Sequence, residues 1–121
     1  MSKTILVVED QEDNRQILRD LLGSAGYEMI EADNGEDAIA MATAHRPDLI
    51  LMDIQLPILD GYEATRRIKA DPSLKDIPII VVTSYALSGD EDKARAAGCD
   101  DYVAKPYSPR ALLAKIKEHL S

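Results

Sequence analysis

Residues 49–57 read LILMDIQLP, and this stretch sets the fold class of the chain. Its first four residues are apolar without alternation, which is typical of a short strand buried on both faces of a parallel sheet. The run ends in a carboxylate, Asp53, and Pro57 and Gly61 mark a loop beyond it. Because the loops beyond the carboxyl ends of parallel strands form the ligand crevice of open α/β sheets, Asp53 is positioned for chemistry.

Four further strand patterns alternate with helical patterns along the chain. The predicted strands are residues 5–8, 27–32, 49–52, 77–82 and 101–104. Helical signals follow each of them: residues 10–22, a segment from the N-cap Asn34 to before Pro47, residues 61–70, a segment from a capping box at 88–91 to Gly98, and a final helix opened by Ser108 and Pro109. Together they predict an α/β fold of five strand–helix repeats, (βα)₅, with helices on both faces of a parallel sheet in three layers.

Length and composition predict a single soluble domain over residues 1–121. No apolar run approaches the roughly 20 residues that span a bilayer, and the first residues do not form a signal peptide. The single cysteine, Cys99, cannot form an internal disulfide. We therefore expect a cytoplasmic protein without membrane association.

The charge of the chain excludes one class of partner. With 22 acidic and 14 basic residues the net charge is −8. Direct binding of nucleic acid needs basic patches that displace counterions. We therefore expect no direct nucleic-acid partner.

Polar side chains stand at the ends of four predicted strands. Glu9 and Asp10 follow the first strand, Asp53 the third, Thr83 the fourth and Lys105 the fifth. Three converging carboxylates repel one another unless a cation is held between them. Oxygen ligands without histidine or cysteine favour Mg²⁺.

The two remaining groups at this edge suit a phosphoryl ligand. Lys105 offers a mobile positive charge and Thr83 a hydroxyl donor. With a metal ion and a central carboxylate, these groups predict phosphoryl transfer in which Asp53 is the nucleophile and forms an acyl phosphate. The alternative is that each polar group only caps its own loop.

The motifs at these strand ends resemble those of one family. They are VVED at residues 7–10, Asp53 followed by Pro57 and Gly61, VTS at 82–84, and YVAKP at 102–106. This combination resembles the receiver domain of two-component response regulators over essentially the whole chain. The resemblance implies a flavodoxin-like fold with strand order 2-1-3-4-5. It also implies that Asp53 accepts a phosphoryl group from a phosphohistidine on a sensor histidine kinase or a histidine phosphotransferase.

The resemblance also assigns the metal ligands. Asp10 and Asp53 are implied to bind Mg²⁺ directly, Glu9 to bind it through water, and the backbone carbonyl of Gln55 to complete the protein ligands. Many family members have Asp where this chain has Glu9.

Further roles follow from the same resemblance. Thr83 and Lys105 are implied to contact phosphoryl oxygens, and Tyr102 matches a switch aromatic that turns inward when Thr83 moves toward the phosphoryl group. The bond between Lys105 and Pro106 is expected to be cis. A bulky Tyr85 is expected to shield the acyl phosphate from water.

Without an effector domain, the chain is expected to act on a downstream protein target, as a monomer or weak dimer. The stretch at residues 51–57 favours the cell-division and hybrid-kinase types of receiver. The first helix and the loops near the site are the expected docking surface for the kinase or phosphotransferase. The candidate contacts are Gln11, Asn14, Ile17, Leu18, Pro106 and Tyr107. For Ile17 and Leu18, core packing is the alternative.

Three other functions compete with the receiver interpretation. A phosphatase of the haloacid dehalogenase type needs a second acid two residues after Asp53, where this chain has Gln55. A flavin- or nucleotide-binding module needs a first loop rich in glycine or hydroxyl groups, whereas residues 9–13 are EDQED. A pseudo-receiver would bind partners without accepting phosphate, although every chemical position here is filled.

Overall fold

A computed structural model of the chain describes residues 2–83 and 90–120. Strands and helices alternate along these residues. They are β1 (Thr4–Val8), α1 (Glu12–Ser24), β2 (Glu28–Ala32), α2 (Gly35–His45), β3 (Leu49–Asp53), α3 (Gly61–Ala70), β4 (Ile79–Thr83), α4 (Asp90–Ala96), β5 (Asp101–Ala104) and α5 (Pro109–Leu120). The predicted (βα)₅ pattern is confirmed.

The strands form one parallel sheet in the order β2-β1-β3-β4-β5. This is the order that the flavodoxin-like resemblance implied. β3 and β4 are buried along their full lengths, as the apolar run at residues 49–52 predicted. The sheet therefore carries its strand ends, and the polar residues that follow them, at one edge.

The apolar side chains of the sheet form two core clusters, one on each face. On one face, Val7 and Leu51 pack with Leu22 of α1 and Leu112 of α5. On the other face, Met52 and residues of α2, α3 and α4 form the second cluster. The chain thus has three layers, and α1 and α5 share one of them.

α1 begins two residues later than predicted. Gln11 has an extended backbone, with φ −100° and ψ 124°, and acts as the N-cap residue of a helix that starts at Glu12. The Gln11 N–H donates to a carboxylate oxygen of Glu9 at 3.1 Å. Residues 10 and 11 therefore belong to the loop that follows β1.

β4 begins at Ile79, so the prediction that it starts at residue 77 was wrong. The Ile77 N–H bonds the Leu74 carbonyl in a turn, and Pro78 has no N–H to donate. The Ile79 N–H is taken by the Asp100 carboxylate at 2.8 Å. Because residues 77 and 78 are apolar, the predicted strand started two residues before the first residue that pairs with β3.

The boundary between α1 and β2 also differs by one residue. The Tyr27 N–H donates to the Leu22 carbonyl and closes the end of α1, so β2 starts at Glu28. Gly26 lies in this turn with φ 87°, a conformation that glycine adopts without strain.

Two predicted helix starts are confirmed, and a third lies partly outside the described residues. The Asn34 side chain accepts the Asp37 N–H at 2.8 Å at the start of α2. Ser108 Oγ accepts the Ala111 N–H at 3.3 Å at the start of α5. The first two residues of the predicted capping box at 88–91 lie outside the described residues. Within residues 2–83 and 90–120, no helix has the length and apolar character that a membrane crossing requires.

Candidate phosphoacceptor and metal site

Three carboxylates meet at the carboxyl edge of the sheet. Oxygens of Glu9, Asp10 and Asp53 all lie within 4.8 Å of one another. Glu9 and Asp53 are buried, with 4% and 7% of their surface exposed, whereas Asp10 is exposed. The convergence that the strand-end pattern predicted is present.

Each buried carboxylate is held by the backbone two residues further along. The Gln11 N–H donates to Glu9 Oε2 at 3.1 Å, and the Gln55 N–H donates to Asp53 Oδ1 at 3.2 Å. Acidic side chains at loop starts form such local bonds readily. The backbones of the β1–α1 and β3–α3 loops therefore fix the directions of the two carboxylates.

Lys105 connects the same two carboxylates from the other side of the site. Its Nζ lies 3.1 Å from Glu9 Oε1 and 3.5 Å from Asp53 Oδ2. Burial alone would lower the pKa of Lys105, but the charges of Asp53 and Glu9 outweigh burial and raise it. Lys105 is therefore protonated at neutral pH. The Lys105–Pro106 bond is cis, as expected.

Asp10 completes an all-oxygen donor set. The pKa of Asp10 is raised because nearby protein atoms displace part of its hydration and because the Glu9 carboxyl lies next to it, and Lys105 offsets this only in part. A carboxylate whose charge is opposed by its neighbours gains from a cation placed between them. The clustered oxygens of Glu9, Asp10 and Asp53 thus suit a hard divalent ion such as Mg²⁺.

The predicted hydroxyl and switch residues lie on adjacent strands. Thr83 is the last residue of β4 and is 1% exposed, and its carbonyl accepts the Lys105 N–H at 2.6 Å. Tyr102 lies on β5, opposite Val81 in the strand register, and packs partly buried against the cluster under α2, α3 and α4. Residues 84 and 85, and with them the expected shielding by Tyr85, lie outside the described residues.

The candidate docking residues border two cavities beside the carboxylates. A cavity of about 430 Å³ runs between α1 and the β5–α5 loop and reaches Lys105 and Asp53. A second cavity of about 220 Å³ holds the carboxylates themselves. The first is lined by Asn14, Ile17, Leu18, Pro106 and Tyr107, and the second by Gln11 and Asn14.

Ile17 and Leu18 differ in exposure, although the sequence analysis made the same prediction for both. Ile17 is 57% exposed, whereas Leu18 is 7% exposed and belongs to the core between α1 and the sheet. For Leu18 the core interpretation fits its burial. The helix therefore presents Ile17, and not Leu18, to the outside of the groove.

The sequence interpretation missed Arg15 at this site and gave no contact for Gly61. Arg15 reaches back from α1, and its Nη1 donates to the Glu9 carbonyl at 2.7 Å. Gly61 was named as a turn marker and as part of the family motif, and the structure shows that a Cβ there would lie 2.0 Å from the Asp53 carbonyl oxygen. Helical spacing signals a surface ion pair for Arg15 with Glu12, but no sequence pattern reveals a contact to a backbone carbonyl.

Comparisons with known proteins agree with this geometry. The chain matches the family model of the response regulator receiver domain over residues 5–117. The polar-differentiation response regulator DivK of Brucella anthropi is 47% identical over 120 residues, which cover 99% of this chain and 98% of that protein.

Two solved structures extend the comparison to three dimensions. One is the receiver domain of a sensor histidine kinase from Pseudomonas aeruginosa PAO1, with a magnesium ion coordinated in its active site cleft. It is 38% identical with a TM-score of 0.92, over 99% of this chain and 98% of that one. The other, a putative response regulator from Chloroflexus aurantiacus J-10-fl, is 32% identical with a TM-score of 0.95 over the same shares. From its sequence, its fold and the arrangement of its strand-end residues, this chain belongs to the response regulator receiver domain family.

Proposed function

We propose that this chain is a single-domain response regulator in which Asp53 accepts a phosphoryl group from a phosphohistidine. The donor is a sensor histidine kinase or a histidine phosphotransferase. The observation that carries the proposal is the buried Asp53 carboxylate, which lies beside a protonated lysine and within 4.8 Å of two further carboxylates. The match covers 98% of the length of the DivK relatives, so those response regulators have little sequence beyond this domain.

The proposed reaction is a displacement at phosphorus. A carboxylate oxygen of Asp53 attacks, and the new P–O bond forms as the P–N bond to the donor imidazole breaks. The electron pair of the broken bond stays on the imidazole nitrogen. Lys105 moves from the carboxylate to a phosphoryl oxygen, and the Thr83 hydroxyl donates to another. Both groups act by offsetting negative charge that the transferred group brings.

The metal ligands of this proposal are Asp10, Asp53 and the Gln55 carbonyl, with Glu9 acting through water. Bound Mg²⁺ would supply positive charge against the phosphoryl oxygens. The outer role of Glu9 is supported by its closer contact with Lys105, whose Nζ lies 3.1 Å from Glu9 Oε1 and 3.5 Å from Asp53 Oδ2. Asp10 is exposed and is therefore open to an ion from solvent.

Phosphorylation would change the surface formed by α4, β5 and α5 through Thr83 and Tyr102. Thr83 is the last residue of β4 and pairs with Ala104 on β5. Tyr102 lies on the same strand, two residues before Ala104. A displacement of Thr83 toward the phosphoryl group therefore acts on the strand that holds Tyr102. The signal leaves through contacts with a downstream protein.

The apolar groove along α1 is the proposed docking surface for the phosphodonor protein. It joins the exposed Ile17 to the site of Asp53 and Lys105. We expect Ile17→Ser to slow phosphoryl transfer from a histidine phosphotransferase and to leave the rate with acetyl phosphate unchanged. Equal slowing with both donors would contradict docking at Ile17, because the small donor needs no such surface.

The central test measures the intact mass of the protein after incubation with acetyl phosphate. Wild type is expected to gain one base-labile phosphoryl group only when Mg²⁺ is present. Asp53→Asn is expected to gain none, and the matched variant Asp76→Asn, at an exposed loop position before β4, is expected to behave as wild type. If wild type binds Mg²⁺ but gains no phosphoryl group, the chain is a partner-binding module and the proposed transfer is refuted.

A further inference from the structure

Arg15 connects three parts of the chain through one guanidinium group. Its Nη1 donates to the Glu9 carbonyl at 2.7 Å, its Nε to Glu31 at 3.1 Å, and its Nη2 to Glu12 at 2.6 Å. The Arg15 side chain is only 15% exposed. It therefore links α1 and β2 to the loop that leaves β1.

The contact with the Glu9 carbonyl acts directly on Asp10. The carbonyl belongs to the planar peptide unit that joins Glu9 to Asp10, so fixing its oxygen fixes the orientation of that unit. The Glu9 N–H is already bonded to the Ala32 carbonyl at 3.0 Å. With both ends of Glu9 held, the positions of the Asp10 backbone nitrogen and Cα are restricted even though the Asp10 side chain is exposed.

We propose that Arg15 is a positioning residue for the divalent-cation site. It holds the peptide between Glu9 and Asp10 so that the Asp10 carboxylate stays directed toward Asp53 before the ion arrives. Replacement of a residue that orients a metal ligand typically lowers the metal affinity by about 10–100-fold. The inference rests on the proposed function, since it assumes that these carboxylates bind Mg²⁺.

Arg19 provides a matched control on the same helix. It pairs with the same two acids, Glu31 at 2.7 Å and Glu12 at 3.3 Å. Among the contacts described for residues 2–83 and 90–120, its partners also include Gln16 but not the Glu9 carbonyl. Arg15 and Arg19 thus differ in the contact on which the inference depends.

The electrostatic effect of removing either arginine has the opposite sign to the positioning effect. Loss of one positive charge near an acidic site favours the binding of a cation. If Arg15 contributed only charge, its replacement by glutamine would tighten Mg²⁺ binding, as would replacement of Arg19. Weaker binding in the Arg15 variant alone is therefore the signature of positioning.

The test compares Mg²⁺ dissociation constants of the full chain by isothermal titration calorimetry. Arg15→Gln is expected to weaken binding about tenfold, and Arg19→Gln is expected to change it less than twofold or to tighten it. In metal-free protein, the backbone amide resonance of Asp10 is expected to shift in Arg15→Gln and to stay in place in Arg19→Gln. Urea unfolding confirms that each variant is folded under the titration conditions.

Arg15→Lys keeps the charge and serves as a second variant if Arg15→Gln does not fold. Lysine has a single ammonium group in place of the planar guanidinium fork and cannot reproduce all the contacts of Arg15. Arg15→Lys is therefore expected to bind Mg²⁺ more weakly than Arg19→Gln does. Equal Mg²⁺ affinity in the Arg15 and Arg19 variants would overturn the inference and leave the phosphoacceptor role of Asp53 intact. A wild-type protein that binds no Mg²⁺ would overturn the metal site itself, and the inference with it.

Discussion

Gly61 permits α3 to start directly against the end of β3. Its N–H bonds the Ile54 carbonyl at 2.9 Å, which brings the first residue of the helix onto the backbone of the strand. A Cβ at this position would lie 2.0 Å from the Asp53 carbonyl oxygen and 2.8 Å from the Asp53 carbonyl carbon. The obstacle is backbone, so no side chain can rotate away to make room.

The cost of Gly61→Ala follows from this distance. Real Cβ atoms almost never lie closer than 3.0 Å to such an atom, so either α3 or the Asp53 peptide must move by about 1 Å. Overpacking of this kind costs about 1–3 kcal/mol, and a backbone obstacle places it near 3 kcal/mol. For a domain of this size that lowers the melting temperature by roughly 10 °C. Movement at Asp53 would also disturb the metal ligands.

The assay for this prediction combines urea unfolding with Mg²⁺ titration. Gly23→Ala is the control, because Gly23 lies inside α1 and a Cβ there meets nothing within 4 Å. It is expected to raise the free energy of unfolding by about 0.5–1 kcal/mol, since alanine is the better helix former. We expect Gly61→Ala to lose about 3 kcal/mol and to bind Mg²⁺ more weakly. Stability and Mg²⁺ affinity that both match wild type would refute the close-approach argument.

Three further substitutions test separate features of the chain. Ile58 is exposed and has φ 70°, a conformation that costs a non-glycine residue about 1–2 kcal/mol. Asparagine adopts this conformation more readily, so Ile58→Asn is expected to raise the free energy of unfolding in urea by about 1 kcal/mol. A destabilised variant would contradict backbone strain at Ile58. Thr65 Oγ1 is buried without a hydrogen-bond partner among the described residues. Thr65→Val is therefore expected to stabilise the protein by about 1 kcal/mol. The control Thr43→Val removes a hydrogen bond to the Ile39 carbonyl and is not expected to stabilise the protein. The pKa of Asp10 is raised in the folded protein, so the free energy of unfolding falls as the pH rises from the ordinary value of 3.8 through the raised pKa. Without Mg²⁺, Asp10→Asn is therefore expected to be more stable than wild type at pH 7. This difference is expected to disappear toward pH 3. With Mg²⁺ at ten times its dissociation constant, wild type should gain about 1.4 kcal/mol, and equal gains in Asp10→Asn would argue against Asp10 as a ligand.

The fold was predictable because its strands are short, apolar and separated by helical periodicity. Strand ends were less predictable, as β4 shows. Ile77 and Pro78 have the composition of a strand, but a turn from Leu74 and the bond from the Ile79 N–H to Asp100 decide where pairing starts. The bond to Asp100 joins residues 21 positions apart in the sequence, so local composition does not predict it.

The site was predictable as a set of residues but not as a set of contacts. Parallel strands bring their ends to one edge, which places Asp53 and Lys105 together from sequence alone. The sequence does not reveal that Lys105 lies nearer to Glu9 than to Asp53, or that Arg15 bonds a backbone carbonyl. It also cannot separate Ile17 from Leu18, because both positions fall within one apolar arc of α1 and only the position of the neighbouring sheet decides which is buried.

The contacts of Glu9 explain how the site can hold one lysine and still attract a divalent ion. Glutamate is one methylene longer than the aspartate common at this position, and its two oxygens accept from Lys105 and from the Gln11 N–H. Lys105 is therefore held mainly by Glu9, at 3.1 Å against 3.5 Å for Asp53. Three carboxylates against one ammonium leave an excess of two negative charges, which matches the charge of Mg²⁺. Because Lys105 lies closer to Glu9 than to Asp53, its ammonium group competes less strongly with a cation for the Asp53 carboxylate.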